Sequence, residues 1–481
     1  MPINNFLLPG AKVTTGYEVA NSCRFNDGDG AYLKRTSGSP TSDKIGTYST
    51  WFKIGVMGTD RRLTMSFVDG NNYGYLKIHS DDTLQFYVVG GGSVVASMIT
   101  NQVFRDPSAW YNVILAVDTT QGTEANRIKI YVNGTQVTSF STATYFSQNT
   151  VNAMFSQSGT NYHTVGAAEN GTVSWDGYMA ETFFIDGTQL AASAFGEFSE
   201  DSPNIWMPKD CSGDFTFGNN GFYLDFEDSG DLGDDESGNT DDFTEVNLAA
   251  TDQSTDTPTN NFATLNPLDN YYPAMTLSEG NTKALTVASK FTYTPTTIGM
   301  TSGKWYAEVK CTAQSGSQDA MVIGITSTQS SATSDELGHH PHDWGYYANG
   351  DGTDGQYRNN DGVTSYGDVF TTGAIIGIYL DLDNNKLYFA KNGTVQNSGT
   401  GISITDPAST PIGAYFFAVS NWSSTTTGTF EANFGGTQSF TVSSGNADAN
   451  GYGNFEYDPS SGTFDSASKD FLALCTKNLG S

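Results

Sequence analysis

The chain has 481 residues, too many for one β-sandwich, and sets an expectation of two domains of about 150–250 residues each. Gly (53), Tyr (25) and Phe (30) are abundant while Lys and Arg total 22, a turn-rich and aromatic-rich composition without a long apolar stripe of helical period. The formal net charge of −30 argues against nucleic acid and anionic membrane surfaces as partners, because both need a positive patch.

The opening, MPINNFLLPGAKV, carries only Phe6, Leu7 and Leu8 before Pro9, which is too short for the apolar core of a secretory signal. No stretch approaches the ~20 apolar residues of a membrane span. From Asn21 to Trp206, short runs read as strands. Phe25 to Leu33 (FNDGDGAYL) is a turn into a strand, and Thr47 to Ile54 alternates around Trp51 and Phe52. Leu63–Val68, Tyr73–Ile78 and Leu84–Val89 follow, with Asx-rich turns between them. Trp110–Val117 is a buried strand, Arg127–Val137 a hairpin around Asn133-Gly134, and Trp175–Ile185 closes the unit. Strands at this spacing predict a sandwich.

The charge is concentrated between Asp210 and Thr282, where sixteen acidic residues occur with no Lys or Arg. This stretch has few large apolar groups and reads as a connector that cannot fold alone. Strand signals resume at Gly303–Val309, Val322–Ile325 and Trp344–Tyr347. The segment from Gly373 to Gly393, GAIIGIYLDLDNNKLYFAKNG, predicts two strands reversed at Asp383-Asn384-Asn385 and closed by Asn392-Gly393, the pair suited to a type I′ turn. Pro411–Phe417 and Phe430–Phe434 complete this domain, and the residues from Thr437 read as a Gly/Ser/Asn-rich tail. Cys23, Cys211, Cys311 and Cys475 form no CxxC motif, allow three pairings, and are expected to be buried free thiols.

Two resemblances follow from these motifs. F-N-D-G-x-G-A-Y-L, W-Y-N-V-I-L-A-V-D, I-K-I-Y-V-N-G and W-D-G-Y-M-A-E resemble, in that order, a laminin-G-like, concanavalin-type jelly roll. G-K-W-Y-A-E-V, V-I-G-I, W-G-Y-Y, the Gly373–Gly393 segment and F-E-A-N-F-G resemble the SPRY domain. The implied fold is all-β: two antiparallel β-sandwich domains joined by an acidic connector. The expected boundaries are 1–206 for the jelly roll with an N-terminal arm, 207–270 for the connector, 271–436 for SPRY and 437–481 for the tail. The opening M-P-I-N-N-F-L-L-P-G-A, the linker T-D-T-P-T-N-N-F-A-T-L-N-P and the closing L-A-L-C-T-K-N-L are similar to tail-fibre and other virion-surface proteins of phages of marine bacteria. That likeness implies a virion-surface location, with synthesis in the host cytoplasm.

Candidate sites are few. SPRY loops form a binding face, which makes Trp344, Tyr346, Tyr357, Tyr366 and Trp422 the candidate ligand-binding aromatics, since rings stack on sugars. Alternation places about half of such residues in a core instead. Asp27, Asp29, Asp69 and Asn71 offer hard oxygen ligands for calcium, which jelly rolls of this type often carry; calcium needs 6–8 oxygens, and Asx turns account for the same residues. His339, His340, His342 and Asp343 could hold a transition metal, although Pro341 interrupts them. The paired carboxylates of concanavalin-type glycosidases, E-x-D-x-x-E, do not occur, nor does G-x-S-x-G, a P-loop or H-E-x-x-H. The expectation is a non-enzymatic virion protein, a tail fibre or adhesin, binding a host-surface glycan or protein. It would work with other virion proteins as a homo-oligomer. The alternatives are a capsid decoration protein, a carbohydrate-active enzyme of concanavalin-type fold, or an intracellular peptide-binding SPRY adaptor.

Overall fold

In the computed structural model, which describes residues 16–155, 162–270, 274–287, 291–314, 321–329, 336–348, 355–421, 427–465 and 469–480, the strand runs pair into two large, mainly antiparallel sheets in each of two units. One unit lies within Val13–Asn260 and the other within Asn261–Ser481. Among the described residues no helix is long and apolar enough to cross a membrane.

The first sheet of the first unit orders its strands Thr135–Gln136, Ile128–Val132, Trp110–Asp118, Ile45–Ile54, Gly177–Asp186, Ser22–Phe25 and Gln253–Ser254. The second runs Phe140–Thr144, Ser93–Val103, Thr83–Gly90, Asn72–Ile78, Arg61–Asp69, Tyr162–Val165, Tyr32–Thr36 and Thr244–Val246. Alternation explains the packing. Val113, Leu115 and Val117 point between the sheets to meet Leu76, Phe86 and Met98. Trp110 and Ile114, one residue out of phase, point the other way and join Trp51, Tyr178 and Phe183 in a second apolar layer. The chain's own Ala192, Phe195, Trp206, Cys211 and Phe217 cover that layer.

The acidic stretch is not a connector. Up to Asn260 it belongs to the first unit, and Phe222, Leu224, Phe226, Leu232 and Phe243 are buried in that unit's central core. Phe222–Leu224 pairs with Gly177–Asp186, Thr244–Val246 with Tyr32–Thr36, and Gln253–Ser254 with Ser22–Phe25. Asp235, Asp252 and Asp256 of this stretch are matched by cations from the early strands. Arg35 is buried between the rings of Phe222 and Phe243, at 4.8 and 4.7 Å, with Nη1 3.2 Å from Asp235. It also donates to the carbonyls of Asp241 and Asn220. Lys53 pairs with Asp256 at 2.7 Å, where Trp110 Nε1 donates to the second carboxylate oxygen, and Arg24 pairs with Asp252 at 2.7 Å. A buried charge is tolerable only when paired and hydrogen-bonded in this way. The boundary falls at Asn260, because Phe262, Ala263 and Leu265 are buried in the second unit.

Glu181 is a buried acid of this unit held by hydroxyl groups rather than by a cation. It lies in strand Gly177–Asp186 where the pairing register shifts between Ala180 and Phe183, with φ of 49°. That left-handed backbone costs a non-glycine residue roughly 1–3 kcal/mol. The side chain is buried and accepts hydrogen bonds from Tyr17 Oη at 3.2 Å and Tyr223 Oη at 3.1 Å. Burial pushes its carboxyl up to about 8, against an ordinary value of 4.5.

In the second unit the larger sheet orders Thr276–Ser278, Lys283–Leu285, Gly428–Asn433, Lys304–Gln314, Ile375–Asp381, Lys386–Lys391 and Thr394–Val395. The smaller orders Thr292–Pro295, Phe416–Asn421, Met321–Thr326, Asp343–Tyr347, Gly355–Asn359 and Gly362–Gly367. The Gly373–Gly393 segment folds as its sequence predicts. Asn384 N–H bonds Asp381 Oδ1 at 3.0 Å in the reversal, and Asn392 and Gly393 adopt φ of 48° and 78° in the closing turn. The expected tail is a structural layer instead. Phe455, Phe471, Ala473 and Cys475 pack on Tyr306, Tyr379 and Tyr388, across the outer face of the larger sheet. Glu308, fully buried, fastens it by accepting from the N–H groups of Glu456 and Tyr457 at 3.0 and 2.8 Å, from Tyr306 Oη at 3.0 Å and from Asn433 Nδ2 at 3.1 Å. All four cysteines are buried free thiols.

Two outcomes follow. Phe243→Ala, in the acidic stretch, should cost about 3 kcal/mol in urea unfolding, as for a core aromatic; a neutral result would return the stretch to a connector. For Glu181 the fold holds a proton that the unfolded chain releases above 4.5, so stability falls as pH rises from 4.5 to about 8, by up to ~1.4 kcal/mol per pH unit. Glu181→Gln should flatten that part of the slope, read as the difference in melting temperature between variant and parent at about pH 5 and pH 8. Parallel curves would remove the argument.

Candidate functional site

The second sheet of the first unit buries Leu76, Phe86 and Val88 on one face. The neighbouring positions, Tyr73, Tyr75 and Tyr87, therefore share the opposite face. Cross-strand register sets Met65 beside Tyr75, Phe67 beside Tyr73, and Tyr75 beside Tyr87. Tyr75 and Tyr87 have ring centroids 5.2 Å apart at 22°, and Tyr73 lies 6.3 Å from Tyr75 at 12°. Gly74 sits between two tyrosines because its other side faces Met154, whose Cβ would be 2.8 Å from any added Cβ. Tyr75 is the sunken middle ring at 9% exposure, while Tyr73, Tyr87 and Phe67 are half-buried. The result is a row of near-parallel rings open to solvent along one side.

Cations lie over these rings. The Arg62 guanidinium is 3.7 Å from the Tyr75 ring, and Lys77 Nζ is 5.6 Å from it while pairing with Asp60 at 2.6 Å. On the same face Lys34 Nζ sits 4.2 Å over the ring of Tyr162, a residue registered beside Phe67. Burial raises the Tyr75 hydroxyl to about 12, so it remains a hydrogen-bond donor at neutral pH. At the turn end of the same strands a recess of about 280 Å³ opens between Asn72, Gly90, Gly91 and Val151. Flat aromatic surface beside polar donors is suited to a sugar ring.

The aromatics expected to bind in the second unit do not form a face. Trp344, Tyr346 and Tyr366 are buried in its core, and Tyr357 is half-buried against that core, 6.0 Å from the Tyr366 ring. Trp344 packs edge-on to Tyr415 at 5.8 Å, and Tyr346 Oη is held by the Asp368 carbonyl. The reason is alternation: Trp344 and Tyr346 share one side of a strand whose other side, with Tyr347, is covered as well. Trp422 lies outside the described residues. The tyrosine row escaped the sequence reading although NYGYLKI and TLQFYVV carry its signal, since Leu76 and Phe86 in the core send their neighbours outward.

The expected calcium ligands are not brought together. Asp27 pairs with Arg61 at 2.9 Å, and Asp29 accepts from Asn26 Nδ2 at 3.0 Å. Asp69 closes its own turn by accepting from Asn71 N–H at 2.7 Å and Asn72 Nδ2 at 3.1 Å. These are Asx turns and an ion pair, and the residues do not fit a calcium ion that needs 6–8 oxygens. Among the described residues, the His, Cys and carboxylate ligand atoms that do converge, within 4.8 Å, belong to Glu336, His339 and Asp361. Arg358 already binds both carboxylates, at 2.7 Å from Asp361. A metal would have to displace that guanidinium. His340, His342 and Asp343 are not part of the group, though the His340 ring meets His339 edge-on at 4.9 Å.

Two carboxyl groups near strand Gly177–Asp186 have raised pKa values, Glu181 as above and Asp176 at about 7, through burial and then the charge of Asp27. They are 4% and 1% exposed, so neither meets a glycosidic bond in this conformation.

Residues 27–196 match the Concanavalin A-like lectin/glucanases superfamily, and residues 304–433 match the SPRY domain. Among solved structures, the SPRY domain of human HERC1 is similar at 14% identity and a TM-score of 0.28, over 35% of this chain and 96% of that one. A heptameric SAP-like pentraxin from Limulus polyphemus is similar at 14% identity and a TM-score of 0.28, over 37% of this chain and 81% of that one. A Bacteroides ovatus protein described as carbohydrate binding is similar at 16% identity and a TM-score of 0.33, over 48% of this chain and 59% of that one. The chain carries a concanavalin-like lectin/glucanase domain followed by a SPRY domain, both β-sandwiches.

Proposed function

We propose that this chain is a non-enzymatic adhesin that binds glycan through the Tyr73–Tyr75–Tyr87 face of its first unit. The observation that carries the reading is the row of near-parallel rings on a sheet face, with Tyr73 and Tyr87 half-buried and Tyr75 sunken between them. Aromatic surface takes the apolar side of a pyranose, and phenol hydroxyls meet its polar rim. The missing E-x-D-x-x-E run and the burial of Asp176 and Glu181 favour binding over hydrolysis. The setting proposed is the surface of a virus particle, as a tail fibre or decoration protein among other virion proteins. It rests on the likeness of the opening, linker and closing segments to phage tail-fibre proteins. An open face of this kind binds weakly, and many copies on one particle multiply that by avidity, often 10²–10⁴-fold as an order of magnitude.

The test is titration of the full chain with soluble polysaccharides, with product analysis of the same mixtures. Binding without turnover is expected, and Tyr73→Ala and Tyr87→Ala should each weaken it by about 1 kcal/mol while the melting temperature holds. Released oligosaccharide would make the chain an enzyme. Unaltered binding in both variants would move the site elsewhere. Mass spectrometry of purified particles checks the setting.

A further inference from the structure

Two cations on the tyrosine face lie over rings rather than on carboxylates. Arg24, Arg35, Lys53, Arg61, Lys77 and Arg105 each have a carboxylate partner. Among the described residues Arg62 and Lys34 have none, as is also true of Lys44, Arg127, Lys129 and Lys209, but Arg62 and Lys34 each lie over a ring of the tyrosine face. A ring face attracts a cation without neutralising it. Arg62 is also partly desolvated: its Nε and Nη1 are buried and have no hydrogen-bond acceptor. Glu169 and Asp60 are close enough to act on its charge, but neither forms an ion pair with it among the described residues, and Asp60 is taken by Lys77. An incompletely compensated, half-desolvated guanidinium favours an incoming anion more strongly than a hydrated one does.

We infer that the glycan bound on this face is anionic, a polysaccharide whose carboxylate or sulfate groups are met by Arg62, with Lys34 as a second cation beside Tyr162. The inference rests on the glycan-binding reading above and adds the charge of the ligand. The rings supply stacking, which every pyranose offers, and the cations supply the choice among pyranoses. Carboxylate and sulfate share the required chemistry, an oxyanion that a guanidinium attracts and hydrogen-bonds.

The experiment measures affinity of the full chain for alginate, a polyuronate, for carrageenan, a sulfated galactan, and for laminarin, a neutral glucan. Tighter binding to one or both charged polymers is expected, with the carboxylate and sulfate arms telling which anion is preferred. The readout is the ratio of charged to neutral affinity. Arg62→Gln should lower it about tenfold, as for loss of one charge-assisted hydrogen bond, and Lys34→Gln should lower it by less. Lys34 is the second arm should Arg62→Gln lose its melting transition. Equal affinity for charged and neutral polymers, or a ratio unmoved in both variants, overturns the anionic ligand while leaving glycan binding in place. Binding to none of the three polymers overturns both readings.

Discussion

In each unit one sheet is apolar on both faces, and the need to cover its second face shapes the rest of the chain. A sandwich hides one face of each sheet against the other sheet. Strands such as Trp110–Asp118, with Val113, Leu115 and Val117 on one side and Trp110 and Ile114 on the other, have a further face to hide. At roughly 25 cal/mol per Å², leaving those aromatics wet would forfeit much of the stabilisation that the fold can gather. In both units the covering layer is a later stretch of the same chain. The stretch carrying Phe195, Trp206 and Phe217 closes the first unit's outer layer, and that carrying Phe455 and Phe471 closes the second's. Each cover lies beside a buried acid with several donors. Glu308 takes two backbone N–H groups of the second cover, and Glu181, beside the first, takes the hydroxyls of Tyr17 and Tyr223.

The same constraint locates the site. Once the first sheet of the first unit is covered, the outer face of its partner sheet, with Tyr73, Tyr75 and Tyr87, still reaches solvent. The acidic stretch does not neutralise this face. Asp235, Asp252 and Asp256 pair with Arg35, Arg24 and Lys53, which come from strands at and near the start of the unit. The acid-rich composition thus serves two ends: it matches buried cations that the early strands carry, and it keeps the remaining surface strongly negative.

The sequence made some of this legible and hid the rest for identifiable reasons. The hairpin of Gly373–Gly393 and the two sandwiches could be read because alternation and Asx-Gly turns are local signals, and Asn392-Gly393 takes the backbone that its pair requires. The fate of the acidic stretch was not legible from composition. Phe222, Leu224, Phe226, Leu232 and Phe243 are few among many polar residues, and only pairing with distant strands turns them into a core. The family likeness points to Trp344, Tyr346 and Tyr366 as binding aromatics, whereas strand phase sends those rings inward. The same phase argument, applied to NYGYLKI, would have sent Tyr73 and Tyr75 outward.

An open row of aromatic rings on a sheet is ordinarily a liability, because exposed apolar patches bring copies together. Two features offset it here. Arg62 lies over Tyr75 and Lys34 over Tyr162, so charged groups cover ring surface that would otherwise be wet. The formal net charge of −30 makes copies repel one another at the distances where attraction would begin. Had solubility been the whole reason for Arg62, Lys would serve as well, and a carboxylate would serve better on a surface meant to repel. A guanidinium stacked on a tyrosine sets a planar cation beside the ring, an arrangement suited to the anionic glycan proposed above.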